Sequence, residues 1–252
     1  MKPDRLARDP WRRLRDVTPA RIALGRAGGS MPTRELLDFQ MAHALARDAV
    51  HQPFDVAALE REISFLGTPV VHWRTQVADR QTYLIRPDLG RRLDEGMTGS
   101  LKRDSREGVD VSIVLSDGLS ALAAQRQIPL VLRALVPQLQ ESGFTLAPIA
   151  IVPFARVAVQ DEIGELLGAR VSLILLGERP GLGSPDSLGA YLVYGPRRGR
   201  TDAERNCVSN IRPQGLPPEA AAELIHYLIA QAIRRQISGV ELKDDRDPRA
   251  LG

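Results

Sequence analysis

The chain has 252 residues and a formal net charge of +3, and its 43% hydrophobic and 26% charged content is typical of one large globular domain or two small ones. No apolar run approaches the ~18 residues that a membrane-spanning helix needs, and the charged N-terminus lacks the apolar region of a secretory signal. One cysteine and four histidines exclude an internal disulfide framework and a Cys/His zinc module.

The positive charge is concentrated at the N-terminus. Residues 1–26 hold eight basic and three acidic groups, so the rest of the chain carries a net charge of −2. Aromatic residues make up only 4% of the chain, which leaves little to stack on bases, and we expect no nucleic-acid partner. The basic arm either lies in solvent or binds an anion or an acidic partner surface.

The beginning of the chain predicts an arm and then a helix. Residues 1–30 are rich in arginine and then in glycine, as in an arm or linker. A helix is predicted over 34–51, with Thr33 as its cap. Its apolar stripe repeats every four residues at Leu37, Met41 and Leu45.

Shorter elements are predicted to follow. Asp55 caps a second helix, which ends before Gly67. The alternation over 71–77 predicts a strand or extended segment. Residues 79–93 predict a short helix, a turn and another short helix.

From residue 96 onward, β-rich apolar runs alternate with helical patterns. The predicted strands and apolar runs are 109–115, 144–152, 171–176 and 191–194. The predicted helices are 128–140, 159–167 and 218–235. This alternation indicates an α/β fold with a mostly parallel sheet covered by helices on both faces. We therefore predict an N-terminal arm and helical segment over 1–95, a second domain over 96–252, and a frayed tail from 243.

Two loops are predicted to lie where such a sheet binds ligands, beyond the carboxyl ends of its strands. They span 116–118 and 177–183, and their glycines allow the backbone to approach a ligand closely. The second loop is not a dinucleotide fingerprint, because Asp186 stands where the third glycine is needed. No P-loop sequence is present, so nicotinamide, flavin and P-loop nucleotide sites are not expected.

Several side chains near these loops are candidates for chemistry. Glu178 can accept hydrogen bonds from ligand amides or pair with Arg179, and the sequence leaves both open. Asp117 precedes a glycine, which is typical of a turn. Cys207 has no basic neighbour in sequence, which favours a small, partly buried thiol over a nucleophile. No histidine has the spacing of a metal ligand or a cobalt-ligating motif: His43, His51, His72 and His226.

Sequence blocks spread over residues 17–238 identify a family. They are ARIALGRAG (20–28), YLIRPDLGRRL (83–93), VLSDGLS (114–120), DEIGELLGAR (161–170), LLGERPGLG (175–183), CVSNI (207–211) and PPEAA (217–221). In this order they resemble the small (light) subunit of ethanolamine ammonia-lyase. Several long blocks in one order make the resemblance highly specific.

The resemblance implies a Rossmann-like domain preceded by helical segments. It implies an enzyme that converts ethanolamine to acetaldehyde and ammonia with adenosylcobalamin, which supplies the radical chemistry. The implied partner is a large subunit, a (β/α)8 barrel that carries substrate and most catalytic groups, in a hetero-oligomer of six copies of each chain. We therefore expect no catalytic acid, base or metal ligand in this chain.

The resemblance also implies which residues touch cobalamin: Val157, Glu178 and Cys207. The corrin ring carries amide side chains around an apolar macrocycle. Glu178 can accept hydrogen bonds from those amides, and charge-assisted bonds are the stronger kind. Val157 offers apolar surface or main-chain groups, and Cys207 offers a small contact. Three neighbours are weaker candidates: Arg156, Asp161 and Arg179.

The resemblance also bears on where the protein is located in the cell and on how it binds the large subunit. Some members of the family carry a longer N-terminal extension implicated in association with a bacterial microcompartment, whereas here about 16 residues precede the matching region. We expect a cytoplasmic location, and expect the arm and the helices up to residue 95 to dock on the large subunit. The alternatives are a non-catalytic scaffold subunit and a stand-alone Rossmann-like ligand-binding protein.

Overall fold

A computed structural model, which describes residues 6–7, 9–97 and 108–246, has a six-stranded sheet at its centre. A separate antiparallel pair joins β1 (Leu6–Ala7) to β2 (Arg26–Ala27). The strands of the main sheet are β3 (Val70–His72), β4 (Val111–Ser116), β5 (Ile149–Ile151), β6 (Val171–Gly177), β7 (Leu188–Tyr194) and β8 (Asn206–Ile211). The α-helices are α1 (Thr33–His51), α2 (Val56–Ile63), α3 (Arg80–Ile85), α4 (Ala121–Glu141), α5 (Val159–Leu166) and α6 (Pro218–Arg235). Short 3-10 helices span Arg12–Asp16, Ser64–Leu66, Leu89–Arg91, Asp202–Glu204 and Gly239–Glu241.

The sheet has the strand order β3-β5-β4-β6-β7-β8. β3, β5, β4 and β6 are parallel to one another, whereas β7 and β8 are antiparallel to their neighbours. The prediction of an α/β fold with a mostly parallel, Rossmann-like sheet is confirmed. None of the described helices is both long enough and apolar enough to cross a membrane.

The two faces of the sheet bury different cores. Ile113 and Leu115 of β4 pack with residues of α2, α4 and α6 on one face. Val114, between them, packs with Val159 and Ile163 of α5 on the other face. Because side chains alternate across a strand, a run that is buried at every position requires cover on both sides. The helices on both faces supply that cover, as the sequence predicted.

Helix boundaries depend partly on contacts that the periodic pattern does not show. α4 starts seven residues earlier than the predicted helix over 128–140, after a cap in which Ser120 Oγ accepts from the Ala123 N–H at 3.1 Å. The first α4 turns are rich in alanine, which gives little amphipathic signal, and Pro129 lies inside the helix. The predicted cap at Thr33 is wrong, because α1 begins at that residue and Pro32 precedes it without a side-chain cap.

Strand lengths also differ from the sequence prediction. β3 is only three residues long, although alternation extends to Val77, and β5 occupies only the end of the run 144–152. β8 was not predicted, because its sequence NCVSNI has no apolar run. It forms because β7 offers it an edge to pair with.

The predicted domain boundary after residue 95 stays a prediction. β3, which precedes that boundary, pairs in parallel with β5, which follows it. The predicted tail begins at Lys243, and its residues 247–252 lie outside the described part of the chain.

The cap of α2 gives a first test of these local interactions. Asp55 Oδ1 accepts from the Ala58 N–H at 2.8 Å, as predicted, and α2 buries Leu59 and Ile63. We expect Asp55→Ala to lower the free energy of unfolding by about 1 kcal/mol in urea denaturation. Glu62→Ala, an exposed change in the same helix, is the control and is expected to stay within about 0.5 kcal/mol. Equal effects of the two changes would contradict the capping role.

Candidate functional site: a cleft at the carboxyl end of the sheet

The two glycine loops predicted to face a ligand are packed against each other. Gly118, after β4, has a φ of +50°, and the Leu119 N–H donates to the Gly177 carbonyl oxygen at 2.8 Å. A Cβ on Gly177 would lie only 2.0 Å from the Ser120 carbonyl oxygen. This close approach requires glycine. The contact holds the loops after β4 and β6 together at the carboxyl end of the sheet, where the site lies.

Asp117 joins a third loop to these two. Its buried carboxylate accepts from the Phe154 N–H at 2.7 Å and from Arg80 Nη1 at 3.0 Å. Arg80 also donates to the carbonyl oxygens of Val50 and Gly118, both at 2.6 Å. Burial raises the pKa of Asp117, while these donors oppose the rise by stabilising the carboxylate. Asp117 therefore holds the loops in place, and the turn that its sequence predicted forms after it, where the Ser120 N–H donates to the Asp117 carbonyl oxygen at 3.0 Å.

Tyr83 forms the floor behind the third loop. Its buried hydroxyl donates to the Ala155 carbonyl oxygen at 3.1 Å, and the Arg156 guanidinium lies over its ring, 4.0 Å from the ring centre. Arg156 Nη2 also donates to the Tyr83 carbonyl oxygen at 2.9 Å. Burial raises the pKa of Tyr83 to about 12, so the phenol is protonated at neutral pH. These contacts fix the direction of Arg156 at the wall of the cleft.

The cleft consists of two adjoining hollows with volumes of about 730 and 460 Å³. Both are lined by Arg156, Val157 and Tyr191. Cys207 lines the larger hollow, and Glu178 lines the smaller one. The fold therefore brings the three predicted cofactor-contact residues, from three distant parts of the sequence, to one continuous cleft. Their role as cofactor contacts stays a prediction.

Glu178 has one oxygen engaged and one open. Its Oε2 accepts from Ser187 Oγ at 2.5 Å and from the Asn210 N–H at 3.2 Å. Its Oε1 has no hydrogen-bond partner among the described residues, and it lies so close to Gly189 that a Cβ there would be 3.0 Å from it. Within that part of the chain Glu178 forms no ion pair with Arg179. Of the two alternatives that the sequence left open, a free acceptor fits this geometry.

Cys207 is exposed on β8 and lies beside Tyr191. Loss of solvent around its sulfur raises the pKa of the thiol, and a nearby carboxylate, Glu178, acts in the same direction. A thiol held in its neutral form is a weak nucleophile. This agrees with the expectation that Cys207 is not a nucleophile, and its role as a cofactor contact stays a prediction.

Asp161 does not line the cleft. It is buried, where desolvation raises its pKa to about 6, and it forms an ion pair with Arg205. Arg205 also bonds to Asp202 at 2.7 Å and to the Arg200 carbonyl oxygen at 3.0 Å. Asp161 thus supports the wall that Arg205 forms.

Sequence reasoning missed part of the lining. Tyr191, Arg200 and Arg205 lie on or beside β7 and β8, and no motif marks them. Only the pairing of β8 with β7 brings them to the cleft, so no local signal was available. The described residues contain no group of three or more His, Cys, Asp or Glu side chains that could hold a metal ion.

The fold and the cleft define a class: a Rossmann-like α/β protein with a ligand cleft at the carboxyl end of its sheet. The loop 177–183 leads into the antiparallel strand β7 and not into a helix, so it is no dinucleotide-binding turn. Residues 8–243 match the model of the family described as Ethanolamine ammonia-lyase light chain (EutC). The chain belongs to this family and is therefore an ammonia-lyase subunit.

Curated relatives match over nearly the whole chain. A protein of Azotobacter vinelandii named ethanolamine ammonia-lyase small subunit is 54% identical over 95% of this chain and 90% of its own length. Proteins of the same name from Pseudomonas aeruginosa and Ralstonia nicotianae are 53% and 52% identical. They cover 99% and 96% of this chain, and 92% and 91% of their own lengths.

The glycine contact at the base of the cleft gives a second test. We expect Gly177→Ala to lower the free energy of unfolding by about 3 kcal/mol, because its Cβ would overlap backbone atoms that cannot move independently. Thermal or urea denaturation measures the change. Gly183→Ala is the matched control, because a Cβ there meets nothing within 4 Å. A tolerated Gly177→Ala would show that the two loops are not locked together.

Proposed function

We propose that this chain is the small subunit of an adenosylcobalamin-dependent ethanolamine ammonia-lyase and forms one side of its cofactor site. The reaction is the conversion of ethanolamine to acetaldehyde and ammonia. The observation that carries the proposal is the meeting of Val157, Glu178 and Cys207 in one cleft. The names of the curated relatives support the reaction and the subunit.

The chemistry of the cleft fits the cofactor. Glu178 Oε1 is an open, negatively charged acceptor for a corrin amide. Val157 and Tyr191 offer apolar surface to the macrocycle where the two hollows join. The exposed Cys207 adds a small side chain that leaves room for a wide ring.

One side of the cleft is open, which fits a cofactor site that this chain forms together with a second subunit. Arg179 and Cys207 are exposed at its rim, so a ligand bound here keeps one face uncovered. The bound cofactor would supply radical chemistry, and this chain would bind and orient it. The large subunit would cover the other face and supply the substrate site. The predicted assembly of six copies of each chain and the cytoplasmic location stay predictions.

The docking surface that we propose for the large subunit includes one face of α1. Leu37, Met41 and Leu45, the predicted stripe, are 58%, 63% and 52% exposed, while α1 buries only Ala42 and Ala49. Leucine and methionine in a continuous exposed row are typical of a surface that a partner covers. The stripe lies in the segment expected to dock on the large subunit.

Co-expression with the large subunit tests the function. We expect acetaldehyde release from ethanolamine only when both chains and adenosylcobalamin are present. We expect Glu178→Gln to weaken cofactor binding by the complex about tenfold, because it removes the charge from the acceptor. Glu223→Gln, an exposed change on α6 that lines neither hollow, is the control.

The outcomes separate the alternatives. Unchanged cofactor affinity in Glu178→Gln and in Cys207→Phe would favour a scaffold subunit. Activity of the large chain alone would have the same meaning. Ligand binding by this chain without any partner would favour the stand-alone binding protein.

Substitutions on α1 test the docking surface. We expect the double change Leu37→Ser and Met41→Ser to prevent co-purification with the large subunit while the thermal midpoint of the isolated chain stays nearly constant, because both side chains are exposed. Gln40→Ser, an exposed polar position on the same helix, is the control. Removal of residues 1–16 tests the basic arm, and unchanged assembly would exclude the arm from the surface.

A further inference from the structure

The larger hollow is lined by four arginines: Arg91, Arg156, Arg200 and Arg205. Two of them are neutralised within the fold. Arg200 pairs with Glu204, and Arg205 pairs with Asp161 and Asp202. Arg91 and Arg156 have no carboxylate partner in the described part of the chain. They give the larger hollow positive charge that no carboxylate of the described residues pairs with.

Arg156 is fixed in direction but not fully bonded. Its guanidinium lies over the Tyr83 ring, and its Nη2 donates to the Tyr83 carbonyl oxygen. Its Nε is buried and has no hydrogen-bond partner in the described residues. Its Nη1 also makes no hydrogen bond with the described residues, so the guanidinium keeps a donor for an acceptor from a ligand. Because the side chain is already held in place, binding would cost little conformational entropy.

Arg91 is brought close to Arg156 by Gly90. The Gly90 carbonyl oxygen accepts from the Arg156 N–H at 2.7 Å, and a Cβ on Gly90 would lie 2.9 Å from Arg156 Cγ. Arg91 follows directly in the 3-10 helix Leu89–Arg91 and is exposed. One arginine is therefore fixed and the other is free to move onto a ligand at the same hollow.

We infer that Arg91 and Arg156 bind the phosphodiester of the cofactor's nucleotide tail; this rests on the proposed function. The corrin amides are neutral and do not require cations, whereas the phosphodiester carries a full negative charge. The guanidinium fork matches phosphate oxygens in geometry and charge. The phosphate would lie in the larger hollow, which Arg91 lines, whereas Glu178 lines the smaller one.

A comparison of two ligands tests this assignment. Cyanocobalamin carries the nucleotide tail, and cyanocobinamide lacks both the nucleotide and its phosphate. With the chain in complex with its large subunit, we expect Arg91→Gln and Arg156→Gln each to weaken cyanocobalamin binding about tenfold in calorimetric titration. We expect both to leave cyanocobinamide binding within about twofold of the unchanged complex. Their effect on cyanocobalamin should also shrink at high salt, because screening weakens the lost attraction.

Controls separate a local effect from loss of the fold. Arg234→Gln removes one exposed positive charge near the end of α6, which lines neither hollow, and is expected to bind both ligands normally. Arg156→Lys keeps the charge and is expected to recover part of the affinity for cyanocobalamin. The thermal midpoint of each complex shows whether it is folded, and the exposed Arg91 gives a variant that does not disturb the core.

The results distinguish the two proposals. Equal weakening of both ligands, or no weakening of either, would overturn the phosphate assignment while the cofactor site stands. Failure of the unchanged complex to bind cyanocobalamin would overturn the cofactor site itself, and with it the proposed function.

Discussion

The buried carboxylate of Asp117 joins separate parts of the chain, and the cleft takes its shape from that junction. Its oxygens accept from Arg80 on α3 and from the backbone of Phe154 after β5, while Arg80 also reaches the Val50 carbonyl oxygen near the end of α1. Loss of one partner would leave a buried charge uncompensated, which costs about 3–5 kcal/mol. This ion pair and its hydrogen bonds join the N-terminal helices to the carboxyl end of the sheet, and they add to the core packing of α2 and to the Tyr83–Ala155 hydrogen bond.

Three segments next to this junction form the walls of the cleft: the loop after β5, the loop after β6, and β8. The loop after β5 carries Arg156 and Val157 and is held against Tyr83. The loop after β6 carries Glu178 and is held against Gly118. β8 adds Cys207 at the far wall. None of these side chains forms an acid–base pair or an activated nucleophile, which fits a subunit that binds and orients a group whose chemistry takes place elsewhere.

Polar groups in the cleft differ in how far the fold satisfies them. Asp161 and Arg205 form an ion pair behind the wall, although Asp161 Oδ1 and Arg205 Nε keep no hydrogen-bond partner among the described residues. In the cleft, Glu178 Oε1 and Arg156 Nε also have no partner there. Buried or half-buried polar groups in folded proteins are normally paired. Two open groups of opposite charge in one cleft favour a large ligand with both amide donors and an anionic group. The exposed apolar row of Leu37, Met41 and Leu45 on α1 is a different kind of feature, and it favours a protein partner.

The composition and the residue pattern of the sequence by themselves determined the fold class, the family and the end of the sheet that carries the cleft. Buried runs in alternation with helical periods specified an α/β sheet with two covered faces, because those patterns depend only on neighbouring residues. Motif blocks specified the family, and the glycine loops indicated the end of the sheet at which the cleft lies. The tertiary structure alone decided that β8 pairs with β7, that Arg205 is neutralised by Asp161, and that Glu178 keeps one oxygen open. Those facts depend on contacts between residues far apart in the chain, and such contacts leave no local periodicity in the sequence.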